Sequence, residues 1–600
     1  MANTQPQTFP GLVDYAASQF GERTFLLRRH GLGGGTVTFT QLRDDIRNLA
    51  RALLTKGVQR GDRVALIAEN SYAWILTDLA ITYIGAVNVP RGVDTTPREL
   101  RHILAHSGCR FAFGETAQAV DALVSIAQDT DQLGQVFSLE EVREDNDIAT
   151  VWELVEFGAS ADAADFDLDA AVGAVQPSDL LTIVYTSGTT ADPKGVMLTH
   201  SNMVHNAFTV NKVLRVRESD VFLSALPAWH VYERIMDYLA LSVGGQLVYT
   251  TRRKIKEDLK AVRPTMFAAV PRIWESIHDG IVNTVGKLPG LKGKLMHTVL
   301  ANCREVGSGR AGTFTRTMNR IYAATLLKKV LAATGGRVRI AVSGGGALPA
   351  HVDELLLGIG LPLLNGYGLT ETSPVVCLRP PSHNVVGTIG PVLDETEIEI
   401  RDPNGKPLPT GEIGIVWIKG PQVMLGYYEN PETTAHVLQN GWFNSGDLGK
   451  VDQNGHYAIT GRAKDTIVLA GGENVEPEPV ETGIKSSTLV DQAVVLGQDE
   501  KVLGAILIPM PECLEKKVPR SEWGEKDGEL TGEKVVALFR NELDRALTRD
   551  AGFRPIERVA KFKVRMEPMT VENGLLTPTM KVKRHEVRAK MAGMIDRLFG

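Results

Sequence analysis

Along this chain, short unbroken apolar runs alternate with longer stretches of helical spacing. Arg63–Ala68 reads as a buried strand, Tyr72 to Tyr83 as a helix, and Gly85–Pro90 as the next strand. Such units predict a parallel sheet with helices on both faces, an α/β architecture. Asp179–Tyr185 reads as a further buried strand, and Ser201 is a candidate N-cap for a helix opening at Asn202. Beyond Glu371 the pattern changes to short alternating β segments, with turn signals at Asp402–Gly405 and Asp452–Gly455; this predicts a β subdomain. Asp129 to Asp169 carries thirteen acidic residues and one basic, Arg143, and reads as a solvated loop or linker. No internal repeat is visible.

Composition narrows the class. Six hundred residues exceed one core, so two or more domains are expected, and 43% hydrophobic with 23% charged residues is ordinary for a soluble globular chain. A net charge of −6 argues against a nucleic-acid binder. The four cysteines, Cys109, Cys303, Cys377 and Cys513, are too scattered for a disulfide framework or a CxxC metal site, which suits a reducing cytoplasm. The amino terminus lacks a basic segment followed by an apolar one, and no eighteen apolar residues run together, so neither secretion nor a membrane span is expected.

The chemistry is concentrated in Tyr185–His200, YTSGTTADPKGVMLTH, a loop expected between the apolar strand and the helix. Thr186, Ser187, Thr189 and Thr190 supply hydroxyls, Gly188 and Gly195 let backbone N–H groups approach closely, and Lys194 adds a point charge, a composition suited to polyphosphate at a strand end. A Gly/Ser/Thr run alone would read as a turn. The string is not a Walker A loop, because Lys194 follows Pro193 and precedes Gly195 instead of Ser or Thr.

The string resembles the phosphate-loop signature of the adenylate-forming superfamily of acyl-CoA ligases, luciferases and adenylation domains. Other segments agree, in order, over most of the chain. Asn365–Thr372 resembles the motif in which Tyr367, beside Gly368, lies against adenine, Thr370 touches the α-phosphate and Glu371 holds Mg²⁺, with Thr186 as the second metal ligand. Ser343–Leu348, with Gly344, Gly345 and Gly346, resembles the wall beside the base; Gly441–Asp447 resembles the segment whose aspartate, Asp447, accepts from the ribose hydroxyls. Gly461–Asp465 resembles the interdomain junction, with Arg462 near the ribose and Lys464 at the hinge. Leu576–Arg584 resembles the motif of the mobile catalytic lysine, assigned to Lys581; the usual preceding glycine is Met580 here, which leaves Lys583 as the alternative. Read alone, Asp447 is a turn residue and Lys581 a solvated surface group.

The resemblance implies a large N-terminal domain of doubly wound sheets plus a β subdomain (residues 1–461) and a small mobile α+β C-terminal domain (462–600). ATP and CoA are the implied co-substrates, and the loop carrying Gly471 and Gly472 is expected to approach pantetheine. Pro227–Arg234, Val270–Glu275 and Gly471–Pro477 resemble the long-chain fatty-acid–CoA ligase branch, in its bacterial and actinobacterial form, with Trp229 and His230 at the acyl entrance. Ile235–Leu241 reads equally as pocket wall or core. Two other outcomes stay open: delivery of the adenylate to an acyl carrier protein, and a binding protein without catalysis, although Lys194, Glu371, Asp447 and the terminal lysine are all present. Lys287 to Arg337 holds ten basic residues and one acid, Glu305. It reads preferentially as an amphipathic surface helix with Phe314, Met318, Ile321 and Tyr322 on its apolar side, and alternatively as a contact with anionic lipid. Oligomeric state is not legible.

Overall fold

The computed structural model describes residues 5–28, 35–130, 132–140, 148–163, 166–186, 193–251, 253–577 and 580–600. Two large sheets organise the first part of the chain. In the first, strands Arg63–Ile67, Val87–Arg91, Phe111–Gly114, Gln135–Ser138 and Leu180–Thr186 run parallel, as the alternation of apolar runs and helices predicts. The second sheet is built on parallel strands Val221–Ser224, Gln246–Tyr249, Met266–Ala269, Ile340–Ser343 and Leu363–Gly368. Helix Tyr72–Tyr83 is buried at every position, so it is covered on all sides by the core.

The segment after Thr186 departs from the expectation. Lys194–Thr199 is a strand antiparallel to Leu180–Thr186, pairing Thr186 with Lys194 and Tyr185 with Gly195, so the phosphate-type loop joins two strands. Four of its six residues, Gly195, Val196, Leu198 and Thr199, are buried, a strand that the glycine and lysine disguise in the sequence. The following helix, His200–Leu214, is capped by Thr199 and not by Ser201: Thr199 accepts from Asn202 N–H at 3.1 Å and Asn202 accepts in return from Thr199 N–H at 2.8 Å.

The acidic stretch is also more ordered than expected. Within it lie strand Gln135–Ser138, helix Val151–Ala159 and helix Leu168–Gly173. Phe137, Val151, Leu154 and Leu168 enter the core while, among the described residues, Asp129, Glu153, Glu156, Asp162, Asp167 and Asp169 are exposed, so acidic count and apolar spacing are independent signals.

Residues 397–462 form the antiparallel β subdomain. Both turn signals are realised by aspartate: Asp402 accepts from Asn404 and Lys406 N–H at 2.9 Å, and Asp452 from Asn454 and His456 N–H at 2.8 Å. From Ile467 onward a separate hydrophobic cluster forms around strands Val490–Leu496, Leu503–Pro509 and Val559–Val564 and helix Glu533–Ala546. It touches the first part through Arg272, which pairs with Asp491, and through Lys485, 3.7 Å from Glu275. No helix among the described residues is long and apolar enough to cross a membrane.

Candidate active site

A cavity of about 1120 Å³ lies where the two sheets, the β subdomain and the C-terminal part meet. Strand ends deliver several of its polar residues: Thr186 closes one strand, Lys194 opens its neighbour, and Gly366–Glu371 continue from the last parallel strand of the second sheet. This is where an open α/β sheet leaves backbone groups free for a ligand. Ser187, Gly188, Thr189 and Thr190 lie outside the described residues.

Tyr367 lines the cavity and donates its phenolic hydrogen to Asp447 Oδ2 at 2.7 Å. Arg462 Nε approaches Asp447 Oδ1 at 2.8 Å, because Asp447 and Arg462 are register partners on adjacent strands. Asp447 therefore sits behind the cavity surface with both oxygens engaged, each keeping a second lone pair. Gly368 has no substitute: a Cβ there would fall 1.7 Å from the Pro374 carbonyl oxygen. Gly344 and Gly345 line the cavity, with Gly346 beside Pro271. Thr370 and Glu371 follow in a single tight turn, and Glu371 Oε1 accepts from Tyr427 O–H at 2.8 Å. Lys194 Nζ lies 5.4 Å from the centre of the Tyr427 ring, which ties the phosphate-type loop to the Glu371 turn.

Lys581 reaches the same cavity from the C-terminal part. Met580 before it has φ +64°, the left-handed conformation that explains why glycine is usual there. A turn fixes it: Met580 N–H donates to Thr577 O at 2.7 Å, and Lys581 N–H to Thr577 Oγ1 at 3.0 Å. Lys583 lines the cavity as well. Lys581 stays exposed at the cavity edge; the surrounding protein and then the nearby Arg462 guanidinium hold its ammonium below the usual lysine range, and the same two causes lower Lys464. Arg462 is also desolvated, yet Asp447 keeps its guanidinium above the ordinary value. Arg462, Lys464 and Lys581 thus face one cavity together with Lys194 and Lys583, an arrangement that an anion would relieve.

His230 caps helix Val231–Val243 and its Nδ1 accepts from Tyr232 N–H at 3.3 Å. Burial, then Lys581 and Arg91, push its imidazole down to about 4, so it is neutral at physiological pH. Trp229 is buried against Gly92, where a Cβ would stand 2.7 Å from the indole nitrogen. Of Ile235–Leu241, Met236 lines the cavity and Tyr238, Leu239 and Ala240 belong to the core. Val210, Ile255, Leu259, Ile273 and Ile277 give the cavity an apolar wall. Gly471 and Gly472 form a turn between Ile467–Val468 and Asn474–Val475, outside the cavity lining.

Residues 13–428 match the profile described as AMP-binding enzyme, and residues 464–523 match the AMP-binding enzyme C-terminal domain. The chain belongs to the AMP-binding enzyme family. It is 34% identical to a chloroplastic long-chain-fatty-acid–[acyl-carrier-protein] ligase of Arabidopsis thaliana, across all of this chain and 88% of that one. It is 31% identical to a long-chain-fatty-acid–CoA ligase of Mycobacterium tuberculosis, across 94% of this chain and 92% of the relative. The adenylation domain of a carboxylate reductase from Mycobacterium chelonae superposes with a TM-score of 0.76 at 22% identity, covering 100% of this chain and 92% of that one, which speaks for the fold alone. The adenylate-forming resemblance and its α/β fold are borne out.

The geometry of this AMP-binding enzyme adds residues that motif reading passes over. Arg91 donates to Tyr185 O at 3.0 Å, pairs with Glu99 and lies 5.5 Å from the Trp229 ring centre. Asn70 holds the turn before Trp229 from one side, accepting from Ala228 N–H at 2.7 Å and donating to Leu226 O at 2.6 Å. Glu233 holds it from the other, accepting from Leu226 N–H at 2.9 Å; burial raises its pKa, as it does that of Asp237 one helical turn away. Tyr427 was equally silent in the sequence. A cluster spacing could have pointed to Glu233, since Glu-x-x-x-Asp on an otherwise apolar helix face is unusual; nothing local distinguishes Asn70 or Arg91.

Proposed function

We propose that this chain activates a long-chain fatty acid with ATP to an acyl adenylate and then transfers the acyl group to CoA, giving acyl-CoA, AMP and pyrophosphate. The observation that carries the reading is the convergence of Arg462, Lys464 and Lys581 on a cavity that also carries an apolar wall of Val210, Ile255, Leu259, Ile273 and Ile277, a combination that suits a phosphate ester joined to a hydrocarbon chain. The names of the relatives support the same substrate class.

A carboxylate is a poor acyl donor because oxide is a poor leaving group. In the first half-reaction a carboxylate oxygen attacks the α-phosphorus in line with departing pyrophosphate, so the protein chiefly positions groups and neutralises charge. Lys194, with Ser187, Gly188, Thr189 and Thr190, holds the outer phosphates; Tyr367, Gly368 and Gly344–Gly346 hold the base; Thr370 contacts the α-phosphate. Asp447 and Arg462 hold the ribose, and Lys581 bridges the attacking carboxylate and the phosphate. Glu371 and Thr186 would hold Mg²⁺: both present hard oxygen donors to the cavity, and among the described residues no cluster of three or more His, Cys, Asp or Glu builds a closed cage, which suits an ion bound chiefly through substrate phosphates. When bound, the ion supplies further neutralisation of phosphate charge.

In the second half-reaction the small domain, residues 462–600, turns about Lys464, withdrawing Lys581 and bringing Gly471 and Gly472 toward pantetheine. The CoA sulfur then attacks the acyl carbonyl, and the acyl–phosphate bond breaks with its electron pair leaving on AMP. Trp229 and His230 border the acyl entrance. Use of ATP and CoA, together with four free cysteines, fits a reducing compartment such as the cytoplasm.

A second reading, transfer to an acyl carrier protein, is favoured by the name of the 34% identical relative. Incubating the purified chain with palmitate and Mg-ATP, with either CoA or phosphopantetheinylated carrier protein, separates them. Acyl-CoA formed in step with AMP is the expected result; thioester on the carrier alone would favour the second reading, and no acid-dependent AMP would overturn both.

A further inference from the structure

Helix Pro271–Gly286 presents two charges of opposite sign from its first two turns to the C-terminal part of the chain. Arg272 pairs with the Asp491 carboxylate and donates from Nη1 to Asp491 O and to Glu275 Oε2, both at 3.3 Å. Glu275 Oε1 in turn lies 3.7 Å from Lys485 Nζ. Alternating signs thus run from Lys485 through Glu275 and Arg272 to Asp491, crossing twice between the two parts of the molecule. The four side chains are 12–35% exposed, and Arg272 also lines the cavity. An isolated surface pair contributes little, but here one arginine engages both the side chain and the backbone of its partner in a partly desolvated chain of charges, which fixes direction as well as distance.

The elements that carry Asp491 and Lys485 give these charges a use. Asp491 lies in strand Val490–Leu496, and its neighbour Gln492 clamps Met569: Nε2 donates to Met569 O at 3.0 Å, and Oε1 accepts from Met569 N–H at 2.8 Å. Lys485 ends helix Pro477–Ile484, whose Glu481 accepts from Arg584 Nη2 at 2.8 Å and from Val495 N–H at 2.7 Å, so the helix is tied to that same strand. Met569 and Arg584 bracket the segment that carries Lys581. The two elements docked by charge on helix Pro271–Gly286 are therefore the two that grip the lysine segment on either side, and a shift of the docked face carries through to Lys581 with little slack.

We propose that Arg272, Glu275, Lys485 and Asp491 form an electrostatic latch that seats Lys581 at the cavity for the first half-reaction, a role that rests on the fatty-acid activation reading and makes Arg272 and Asp491 positioning residues. An interface that served only for stability would support both half-reactions alike, since the two parts of the molecule remain joined in each. A latch particular to the arrangement with Lys581 in the cavity supports the first alone. Asp491 is outside the cavity lining, so it acts through the strand and the Gln492–Met569 clamp and not on a substrate.

The test measures the half-reactions separately in the full chain: pyrophosphate–ATP exchange dependent on palmitate, and thioester formation from supplied palmitoyl-AMP and CoA. Asp491→Asn, close to isosteric, should lower the exchange about tenfold, between the few-fold worth of an exposed pair and the larger loss from a fully desolvated one, without lowering thioester formation. Asp491→Glu, which keeps the charge, should recover most of the exchange. Arg272→Gln combined with Asp491→Asn should be no worse than the poorer single variant, the non-additivity of two partners in one contact. Hydrogen exchange of Met569–Leu576, read by mass spectrometry without substrates, should rise in Asp491→Asn while strand Arg63–Ile67 is unchanged. That readout is independent of the enzymatic reading, whose own failure would show as absent pyrophosphate exchange in the wild-type chain. Equal loss in both half-reactions, undiminished pyrophosphate exchange in Asp491→Asn, additive losses in the double variant, or unaltered hydrogen exchange across Met569–Leu576 would each overturn the proposal.

Discussion

Tyr367 O–H and Asp447 Oδ2 stand 2.7 Å apart, joining the last strand of the second sheet to the β subdomain across 80 residues of chain. The bond aims the aromatic ring at the cavity and leaves Asp447 locked between Tyr367 and Arg462. Hydrogen bonds to charged groups contribute about 1.5–3 kcal/mol, and part of that is recovered by water when the hydroxyl is lost. Tyr367→Phe should therefore raise KM for ATP by about tenfold while kcat changes less than threefold. Steady-state kinetics with varied ATP checks this, and an unchanged KM would mean that the pair does not shape the nucleotide site.

Lys581→Ala should lower acyl-adenylate formation by about 10²–10³-fold, the range for removing one preorganised charge partner of a transition state. Thioester formation from supplied acyl-AMP should be largely spared. Equal loss in both half-reactions would point to Lys583 or to a different role.

The Lys581 ammonium also titrates early. Its pKa is depressed by the surrounding protein and by Arg462, so the charged form is lost as pH rises through a value below the ordinary lysine range of about 10.4. Adenylation should fall on the alkaline side before that pH, and Lys581→Arg, which keeps its charge, should move that limb upward. An alkaline limb that ignores the substitution would assign it to another group.

Met580 holds a left-handed backbone with a side chain that is partly exposed. Strain of this kind is worth about 1–3 kcal/mol, offset in part by the greater freedom of glycine when unfolded. Met580→Gly should stabilise the chain by about 1 kcal/mol in urea unfolding without loss of adenylation. Destabilisation would show that Met580 packing outweighs the strain.

His200 is buried, accepts from Phe9 N–H at 3.2 Å through Nδ1, and is pushed down to about 4 by desolvation. The unfolded chain, with an ordinary histidine near 6.5, binds a proton that the native state refuses. Stability is therefore fully present above about pH 6.5 and declines as pH falls toward 4, by at most about 1.4 kcal/mol per pH unit for this group. His200→Gln, which keeps an acceptor but does not titrate there, should flatten the slope of unfolding free energy over that window; an unchanged slope would place the acid sensitivity elsewhere.

Much of this architecture is legible locally. The spacing from Tyr72 to Tyr83 and the two Asp-x-Asn-Gly turns depend on neighbours in the chain, and they appear where the pattern puts them. The strand Lys194–Thr199 is not legible, because its glycine and lysine lower its apparent strand character and its pairing with Leu180–Thr186 supplies the order. Phe137 and Leu154 were hidden by the acidic residues around them. The cavity residues of the motifs are readable because Ser343–Leu348 and Asn365–Thr372 each gather glycine with tyrosine, hydroxyl or carboxylate in one short string; Arg91, Asn70 and Tyr427 acquire their positions from contacts between segments far apart.

The most direct measurement is isotope exchange between pyrophosphate and ATP in the presence of a panel of C2 to C24 acids, with neither CoA nor carrier protein added. Label should enter ATP with long-chain acids, weakly or not at all with acetate, and should vanish in Lys581→Ala. No acid-dependent exchange with any member of the panel would contradict the adenylate account, whatever acceptor follows.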